Sequence, residues 1–428
     1  MKTTVVNKKY EDVVAMKKPK HQKPWKQHII FRWLLKTLSW FDLRATHFKS
    51  REIGMEKLGK NEPCLVLMNH SSFIDLEIIS TVLYPRPFNI VATSDSFMGI
   101  MNLVMRLIGC IPTKKFVMDA GLIKDMIYTV KELKSSVVMY PEASYSFDGT
   151  ATPLPESLGR CVKMLGVPVV MVRTYGAFTR DPLYNGLQRR KVDVSADVKY
   201  LLSAQDVAEM SPDELNDVIR NEFAFDNFRW QQENQVRVSE PFRADGLNRV
   251  LYKCPHCNTE GNMLGKGTKL ICKHCKKEYE LTEYGYLKAI GGDGKFEHVP
   301  DWYQWERDSV REEIEAGTYG LEVPVTICMM VNMNSIYRVG EGVLKHSAEG
   351  FSLTGCDGKL EYSQKPSSSY GLYADYYWYE IGDVICIGDS KVLYYCFPKE
   401  GGDIVAKTRL ATEELYKMTK KKRKTKQG

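Results

Sequence analysis

A chain of 428 residues is too long for one ordinary hydrophobic core, so we expect two or three domains. The composition, 43% hydrophobic and 26% charged, is that of a soluble globular protein, and no apolar run reaches the roughly eighteen residues of a membrane-spanning helix. The net charge of +7 equals the seven basic residues between Lys417 and Lys426, so the rest of the chain is electrically balanced.

The first unusual element is an amphipathic stretch near residues 25 to 43, "WKQHIIFRWLLKTLSWFDL". Its apolar residues recur at helical spacing and are Trp25, Ile29, Trp33, Leu34, Leu38 and Phe41. Tryptophans beside basic residues are typical of a helix that lies in a membrane interface, and five lysines between Lys17 and Lys26 favour that interpretation. The alternative is an N-terminal helix packed on the domain core.

Short apolar runs alternate with helical patterns from residue 60 to about residue 200. The runs that predict strands are "CLVLM", "FNIVATS", "GCIPT", "SSVVMYPE" and "VPVVMVRT". This alternation predicts an α/β domain with a largely parallel sheet, in which ligands bind at the carboxyl ends of the strands. His70 and Glu142 each follow such an end, so we expect both at the same edge of the sheet.

A cysteine pattern follows, in which two CxxC motifs are separated by fourteen residues. The spacing predicts that Cys254, Cys257, Cys272 and Cys275 bind zinc, because two knuckles complete a tetrahedron of thiolates. Four sulfurs leave no open position, so this zinc would be structural, and the histidines inside the knuckles are not needed. The other cysteines sit singly in apolar runs and the N-terminus lacks a signal peptide, so we expect a reducing, cytoplasmic setting.

Strand patterns dominate from about residue 320, and one helical pattern follows them. Several antiparallel strands closed by a helix suggest a pleckstrin-homology-type barrel. The basic tail after the helix suits an anionic membrane or nucleic acid, or is a disordered, solubilising end. The predicted parts are a membrane-facing segment (1–45), the α/β domain (46–245), a zinc ribbon (246–285), a helical linker (286–320), a β-rich domain with its helix (321–416) and the tail (417–428).

The stretch "NHSSFIDLE" places a histidine directly after a buried strand and an aspartate five residues later. Positions five apart on an ideal helix diverge by about 140°, so His70 and Asp75 meet only if His70 precedes a helix whose first turn holds Asp75. A carboxylate bonded to one imidazole nitrogen leaves the other as a base for a substrate hydroxyl. The alternative is a capping box, in which Ser72 caps the helix and Asp75 only satisfies backbone donors.

The motif "NHSSFID" resembles the His-x4-Asp motif of the glycerolipid acyltransferases, the family that includes 1-acylglycerol-3-phosphate acyltransferase. Three more blocks follow in the family's order: "GCIPTKK", "YPEASYS" and "GVPVVMV". The resemblance implies direct transfer of an acyl chain from acyl-CoA or acyl-carrier protein to a glycerol hydroxyl. It also implies that His70 is the general base and Asp75 its orienting partner.

The resemblance further implies a set of substrate-binding residues within the matching blocks, namely Asn69, Lys114, Lys115, Glu142, Ser144 and Pro168. Glu142 would help position the acceptor and Pro168 would shape the acyl-donor side. Either lysine would pair with phosphate, or the two lysines simply end a strand in solvent.

Two departures from the family pattern concern the acceptor. The third block reads Glu142-Ala143-Ser144-Tyr145 where the family usually has Glu-Gly-Thr-Arg, so its phosphate-binding arginine is missing. The second block carries lysine where arginine is common, and lysine lacks the bidentate fork of arginine. An acceptor head group other than that of lysophosphatidate therefore stays open.

Two functions of different classes follow. The first is an O-acyltransferase of phospholipid biosynthesis, cytoplasmic and peripheral to the inner membrane face, whose partners are a lysolipid acceptor, an acyl donor and an anionic membrane surface. The second is an inactive acyltransferase fold that binds lipid or nucleic acid. Retention of both His70 and Asp75 favours the enzyme and makes nucleic acid the less expected partner.

Overall fold

The computed structural model describes residues 5–117, 119–399 and 404–427, and the side chains of the last helix as far as Lys422. One short strand and two helices precede the first domain: β1 Val5–Asn7, α1 Tyr10–Val14 and α2 Ile29–Ala45. β1 pairs in parallel with Ile336–Arg338 of the C-terminal sheet, whereas α2 packs on the α/β domain. The N-terminal segment therefore connects both parts of the molecule.

A seven-stranded sheet forms the centre of the α/β domain. Its strands are β2 Lys49–Ile53, β3 Leu65–Met68, β4 Phe88–Thr93, β5 Cys110–Thr113, β6 Ser136–Met139, β7 Val169–Tyr175 and β8 Ser195–Leu202. The spatial order is β2-β8-β7-β3-β6-β4-β5, and neighbouring strands are parallel except β7 with β8. The mostly parallel sheet is thus confirmed, and β2 and β8, which the sequence patterns did not indicate, complete one edge.

Helices cover both faces of this sheet, as buried parallel strands require. They are α3 Ile74–Val82, α4 Met101–Leu107, α5 Ala120–Lys131, α6 Leu158–Leu165, α7 Ala177–Arg180, α8 Ala204–Glu209, α9 Pro212–Phe223 and α10 Asn227–Glu233. Along β3, Val66 and Met68 pack into the core beneath α3, while Leu65 and Leu67 pack into the core beneath α5 and α6. A strand buried on both faces explains the unbroken apolar run in its sequence.

The apolar face of α2 points outward. The helix packs on α3 and buries Ser39 and Leu43. Five of the six apolar residues identified from the sequence lie on α2 and all are exposed, Trp33 at 56% and Phe41 at 67%; Trp25, which precedes the helix, is exposed too. Packing of that face on the domain core is therefore not what the structure shows. No helix in the described ranges is both long enough and apolar enough to cross a bilayer.

The cysteine-rich region forms a small antiparallel sheet of four strands. Its strands are β9 Met263–Lys266, β10 Lys269–Cys272, β11 Glu278–Leu281 and β12 Leu287–Ile290. The next helix, α11 Val299–Glu315, packs against it, and the indole N–H of Trp302 donates to the carbonyl of Lys253 at 2.9 Å. The ribbon is therefore part of the main body of the protein.

An antiparallel sheet follows, with strands β13 Leu321–Met329, β14 Ile336–Ser347, β15 Gly350–Gly355, β16 Leu360–Gln364, β17 Tyr373–Trp378, β18 Gly382–Gly388 and β19 Leu393–Pro398. The order is β16-β15-β14-β13-β19-β18-β17. The β-rich region is confirmed, but the described pairings leave β16 and β17 at opposite ends, so the pleckstrin-homology-type barrel stays a prediction.

The last helix, α12 Ile404–Gln427, continues through the basic tail. Within it, Lys417 pairs with Glu414 at 2.7 Å and Lys420 pairs with Glu156 of the α/β domain. The side chains of residues 423–428 lie outside the described residues. The domain boundaries stay a prediction, and one large core joins residues of the α/β domain to the ribbon, α11, α12 and the C-terminal sheet.

Candidate active site

The turn between β3 and α3 brings His70 and Asp75 together. β3 ends at Met68, His70 lies on the turn, and Asp75 is the second residue of α3. Nδ1 of His70 is 3.0 Å from Oδ2 of Asp75, and the Asp75 side chain is fully buried. The contact expected from the five-residue spacing is therefore present.

One oxygen of Asp75 collects three donors. Besides the His70 ring, the backbone N–H groups of Ser71 and Ser72 donate to Oδ2 at 2.8 and 3.1 Å. The hydroxyl of Ser72 accepts from the N–H of Ile74 at 3.3 Å, and the N–H of Asp75 donates to the carbonyl of Ser72. Asp75 therefore satisfies backbone donors and contacts the histidine at once, whereas the capping box expected as the alternative is not formed, because Phe73 is the N-cap of α3 and makes no side-chain cap bond.

The imidazole of His70 lies between two tyrosine rings. The ring centroids of Tyr140 and Tyr145 are 4.3 and 4.1 Å from that of His70. Burial lowers the pKa of His70 from its usual 6.5; the hydrogen bond and charge of Asp75 oppose this shift, and the charge of Lys115 adds to it. The ring is therefore neutral at neutral pH, with its proton on Nδ1 toward Asp75 and a lone pair on Nε2, as a general base requires.

Glu142 reaches His70, but from behind the cleft. Its Oε2 accepts from the backbone N–H of His70 at 2.9 Å, and its Oε1 accepts from the N–H of Thr152 at 2.8 Å. Burial raises its pKa to about 7, against the lowering effect of these hydrogen bonds. The neighbouring Pro141 and Ala143 form the cleft wall instead. Glu142 therefore holds the backbone of His70, whereas the resemblance implied that Glu142 contacts the acceptor.

Asn69 and Ser144 are both buried beneath the site and bind other residues of the chain. The amide of Asn69 donates to the hydroxyl of Thr174 at 3.0 Å and accepts from its N–H at 2.8 Å, which ties the end of β3 to that of β7. Ser144 is buried, and its hydroxyl donates to the carbonyl of Tyr145 at 3.4 Å. Ala143, where the family usually has glycine, has a φ of +57°, a conformation that glycine adopts most easily.

The two lysines after β5 have different surroundings. Lys114 donates to the carbonyl of Ser390 in the C-terminal sheet at 2.6 Å, and burial lowers its pKa. The ammonium of Lys115 lies 4.5 Å from the centroid of the Tyr373 ring. Both lysines line the cleft next to His70, so the structure brings them to the site, as the resemblance implied. Neither simply ends a strand in solvent.

Pro168 is not brought to the site. Its carbonyl accepts from the N–H of Leu65, the first residue of β3, whereas His70 follows the last residue of that strand. Four residues of extended strand separate the two ends by about 13 Å. The expectation that Pro168 shapes the acyl-donor side is therefore corrected, because Pro168 precedes β7 and lies at the opposite edge of the sheet.

Part of the C-terminal sheet covers the site, and we call this part, residues 367–380, the roof of the cleft. The sequence patterns did not indicate this contact. The cleft has a volume of about 1870 Å³, and its walls include His70 and Lys115 from the α/β domain, segment 367–380 from the C-terminal sheet, and Tyr416 from α12. The roof is anchored on the loop after β5, where the hydroxyl of Ser369 donates to the carbonyl of Phe116 at 3.1 Å. The aromatic run "YADYYWYE", which begins at Tyr373, is the one sequence signal that could have indicated a binding surface.

A second unforeseen contact comes from α12. The guanidinium of Arg409 lies 4.1 Å from the Phe147 ring centroid and donates to the carbonyl of Tyr145 at 3.4 Å. Glu413 pairs with Arg409 at 3.3 Å and with Arg307 of α11 at 2.6 Å. A buried ion network from the C-terminal half of the chain thus supports the tyrosine that covers one face of His70.

The four cysteines of the ribbon lie together. Their Sγ atoms are all within 4.8 Å of one another, and the pairs Cys254–Cys275 and Cys257–Cys272 are each 3.7 Å apart. Four sulfurs about 2.3 Å from a tetrahedral zinc would be about 3.8 Å apart. The donor set therefore fits a metal such as zinc.

The two halves of this centre repeat each other. The N–H of Asn258 donates to the carbonyl of Cys254, and the N–H of Lys276 donates to that of Cys272, at 2.8 and 2.9 Å. Both donors have positive φ, +58° and +63°. Two equivalent knuckles aimed at one point are the backbone geometry that a four-thiolate metal centre requires.

Comparison with known proteins finds a similarity in the part of the chain that holds the His70–Asp75 pair. Residues 49–174 match a family model described as Acyltransferase, and this stretch includes the His70–Asp75 pair. Among solved structures, the chain is similar to the 1-acyl-sn-glycerophosphate (LPA) acyltransferase PlsC from Thermotoga maritima, at 15% identity and a TM-score of 0.37, over 49% of this chain and 81% of that one. No curated protein sequence matches the chain.

The two roles considered for Glu142 predict different kinetics. Replacing Glu142 with Gln turns an amide NH2 toward the N–H of His70 or Thr152, so the histidine should shift. We expect kcat to fall at least about tenfold while KM for the acceptor changes less than about twofold. Steady-state kinetics check this, with the exposed Glu132→Gln as control. A selective rise in KM would show that Glu142 binds the acceptor.

The Glu142→Gln variant should also change how the free energy of unfolding depends on pH. Since the folded-state pKa of Glu142 is raised from 4.5 to about 7, its contribution to stability is full below pH 4.5 and is lost as the pH rises to about 7. Glu142→Gln should lack this loss. Unfolding followed in urea at several pH values would reveal it as a difference in slope between wild type and variant.

Proposed function

We propose that the protein is an O-acyltransferase that moves a fatty acyl chain from a thioester donor, acyl-CoA or acyl-carrier protein, to a hydroxyl of a lysolipid. The observation that supports this most directly is the 3.0 Å contact between His70 Nδ1 and the buried Asp75, in a ring that lines a large cleft. A neutral histidine held in this way is a base suited to a hydroxyl, and the match of residues 49–174 supports acyl transfer.

The reaction needs one proton shuttle. Nε2 of His70 takes the proton from the acceptor hydroxyl while the hydroxyl oxygen attacks the thioester carbonyl. The tetrahedral intermediate expels the thiolate, which takes the proton back from the imidazolium, so the products are an ester and a free thiol. Asp75 stabilises the imidazolium while it exists and keeps Nε2 available. Tyr140 and Tyr145 shield the ring from water.

A membrane surface supplies the lysolipid in this proposal. The helix α2, with its apolar face exposed, packs on α3, and Phe73, the residue that caps the N-terminus of α3, is 64% exposed. Phe73 lines the cleft and its ring lies 5.8 Å from that of Tyr145. We place the apolar face of α2 and Phe73 against the same bilayer surface, so that a lipid enters the cleft beside His70 without fully leaving the bilayer. The enzyme would work as a peripheral protein on the cytoplasmic face.

The ribbon would hold one structural zinc. Four thiolates fill a tetrahedral shell, and such metal centres contribute to folding rather than to chemistry. The ribbon joins α11, and α11 joins the ion network beneath Tyr145. We therefore propose that the zinc stabilises the ribbon and, through α11, the ion network beneath Tyr145.

The catalytic role of the pair predicts loss of transfer without loss of fold. His70→Ala and Asp75→Asn should each lower kcat by about 10²- to 10⁴-fold, with zinc content and vesicle binding unchanged. Asp193→Asn, in the exposed His47–Asp193 pair, is the matched control and should be silent. Normal turnover by Asp75→Asn would refute the mechanism. Wild-type protein that binds lysolipid yet never acylates it would favour the inactive binding module.

The pH profile should follow His70. Protonation removes the base, so the rate should fall on the acid side, below the usual pKa of 6.5 because burial lowers the pKa of His70. The charge of Asp75 holds that pKa up, so residual activity of Asp75→Asn should extend to still lower pH. Profiles of kcat/KM for both proteins check this. An acid limb at higher pH in the variant would contradict it.

The membrane proposal predicts that α2 contributes apolar binding and that the basic tail contributes electrostatic binding. Replacing Trp33 and Leu34 with Ser should weaken binding to neutral and anionic liposomes by more than about tenfold, because each exposed side chain contributes about 1.5–3 kcal/mol when buried. Removing residues 423–428 should weaken binding to anionic liposomes alone, and only at low salt. Co-sedimentation measures both, with the exposed ribbon residue Leu264→Ser as control. Unchanged binding of the double variant would contradict the role of α2.

The metal proposal predicts one zinc per chain. Cys272→Ser should lose the metal and lower the unfolding temperature, because the ribbon and α11 share one core. Cys161→Ser, a buried cysteine far from the ribbon in sequence, is the control and should keep the metal. Elemental analysis and thermal unfolding measure these effects. Full zinc content in Cys272→Ser would refute the assignment.

A further inference from the structure

The roof of the cleft carries a carboxylate next to the lysine expected to bind phosphate. Tyr373 and Asp375 are separated by one residue on β17 and lie on the same face of the strand, where their Cα atoms are about 6.6 Å apart. Lys115 lies over the Tyr373 ring, and all three residues line the cleft with His70. The site therefore presents a cation and an anion side by side, close to the base.

The negative charge of Asp375 is only partly balanced by its neighbours. Oδ1 of Asp375 accepts from the N–H of Tyr376 at 2.9 Å, and the charge of Lys115 favours the ionised form. Burial outweighs both and raises the pKa of Asp375 to about 6, with Asp95 and Asp383 adding to the rise. A second cation in the cleft would stabilise this carboxylate, whereas the double charge of a phosphate monoester would be repelled by it.

The aromatic residues after Asp375 are built into an irregular strand. The pairing of β17 with β18 shifts between Asp375 and Trp378, and Tyr377, Tyr379 and Glu380 all have positive φ, between +46° and +61°. Strained backbone at non-glycine residues is retained where a site needs particular side-chain directions. Tyr377, Trp378 and Tyr379 all line the cleft, and because the Arg249 guanidinium already lies 4.2 Å from the centroid of the Tyr377 ring, Trp378 and Tyr379 are the rings left for a ligand. Aromatic rings beside a carboxylate are a recurring environment for ammonium groups.

We infer that the acceptor is a lysophospholipid whose head group carries both a phosphodiester and an ammonium group. This inference rests on the acyltransferase proposed above. Lys115 pairs with the phosphate, and Asp375 with the surrounding rings binds the ammonium. Tyr145, where the family usually has its phosphate-binding arginine, fits the same interpretation, because a phosphodiester carries one charge and needs fewer cations than a monoester.

Competition among lysolipids tests the inference. The full-length protein and a thioester donor are given equal amounts of lysophosphatidate, lysophosphatidylglycerol, lysophosphatidylethanolamine and lysophosphatidylcholine with the same acyl chain, and the products are quantified by mass spectrometry. We expect the two amine-bearing acceptors to be preferred at least about tenfold over the other two. Preference for the ethanolamine form would indicate hydrogen bonds to Asp375, and preference for the choline form a cage of rings; both support the inference.

Variants distinguish recognition from general damage. Asp375→Asn keeps the acceptor for the N–H of Tyr376 but lacks the charge, so it should reduce the preference about tenfold. Lys115→Met should lower transfer to all four lysolipids alike. Asp357→Asn, in the exposed turn after β15, should preserve the wild-type preference. Wild-type preference for lysophosphatidate or lysophosphatidylglycerol, or an unchanged ratio in Asp375→Asn, would overturn the inference alone; no transfer to any lysolipid would overturn the proposed function with it.

Discussion

The site depends on one oxygen atom, Oδ2 of Asp75. It accepts from the His70 ring and from the N–H groups of Ser71 and Ser72, so the turn after β3 can adopt only the path that brings these three donors together. A buried carboxylate that lost these partners would cost several kcal/mol. The arrangement is therefore part of the stability of the fold, and the position of the His70 ring follows from it.

The rest of the molecule supports this turn from two sides. Behind it, Glu142 holds the backbone of His70. Above it, Tyr145 covers the ring and is held in turn by Arg409 of α12, whose partner Glu413 pairs with Arg307 of α11. α11 packs on the ribbon through Trp302. A continuous series of packed and charged groups therefore links the ribbon to the site, which gives the C-terminal half of the chain a role in positioning.

What could be predicted from the sequence was local. The five-residue spacing of His70 and Asp75 and the continuous apolar run of β3 each report on a short segment, and both interpretations agree with the structure. Contacts between distant segments were missed: the partner of Lys114 is Ser390, and the group that holds Tyr145 is Arg409. Pro168 was misplaced because the order of motifs along a chain does not tell at which edge of the sheet each motif lies.

This division between local and distant contacts has a chemical meaning. A base and its carboxylate partner need only one turn, so acyl transfer can be encoded within a few residues. Recognition of an acceptor needs groups on all sides of a cleft, and here the roof that includes Asp375 comes from a sheet outside the acyltransferase match. A changed roof can therefore alter the acceptor while the turn around Oδ2 stays the same. For this reason the tyrosine at position 145, where the family usually has arginine, bears on the proposed head group and not on the proposed acyl transfer.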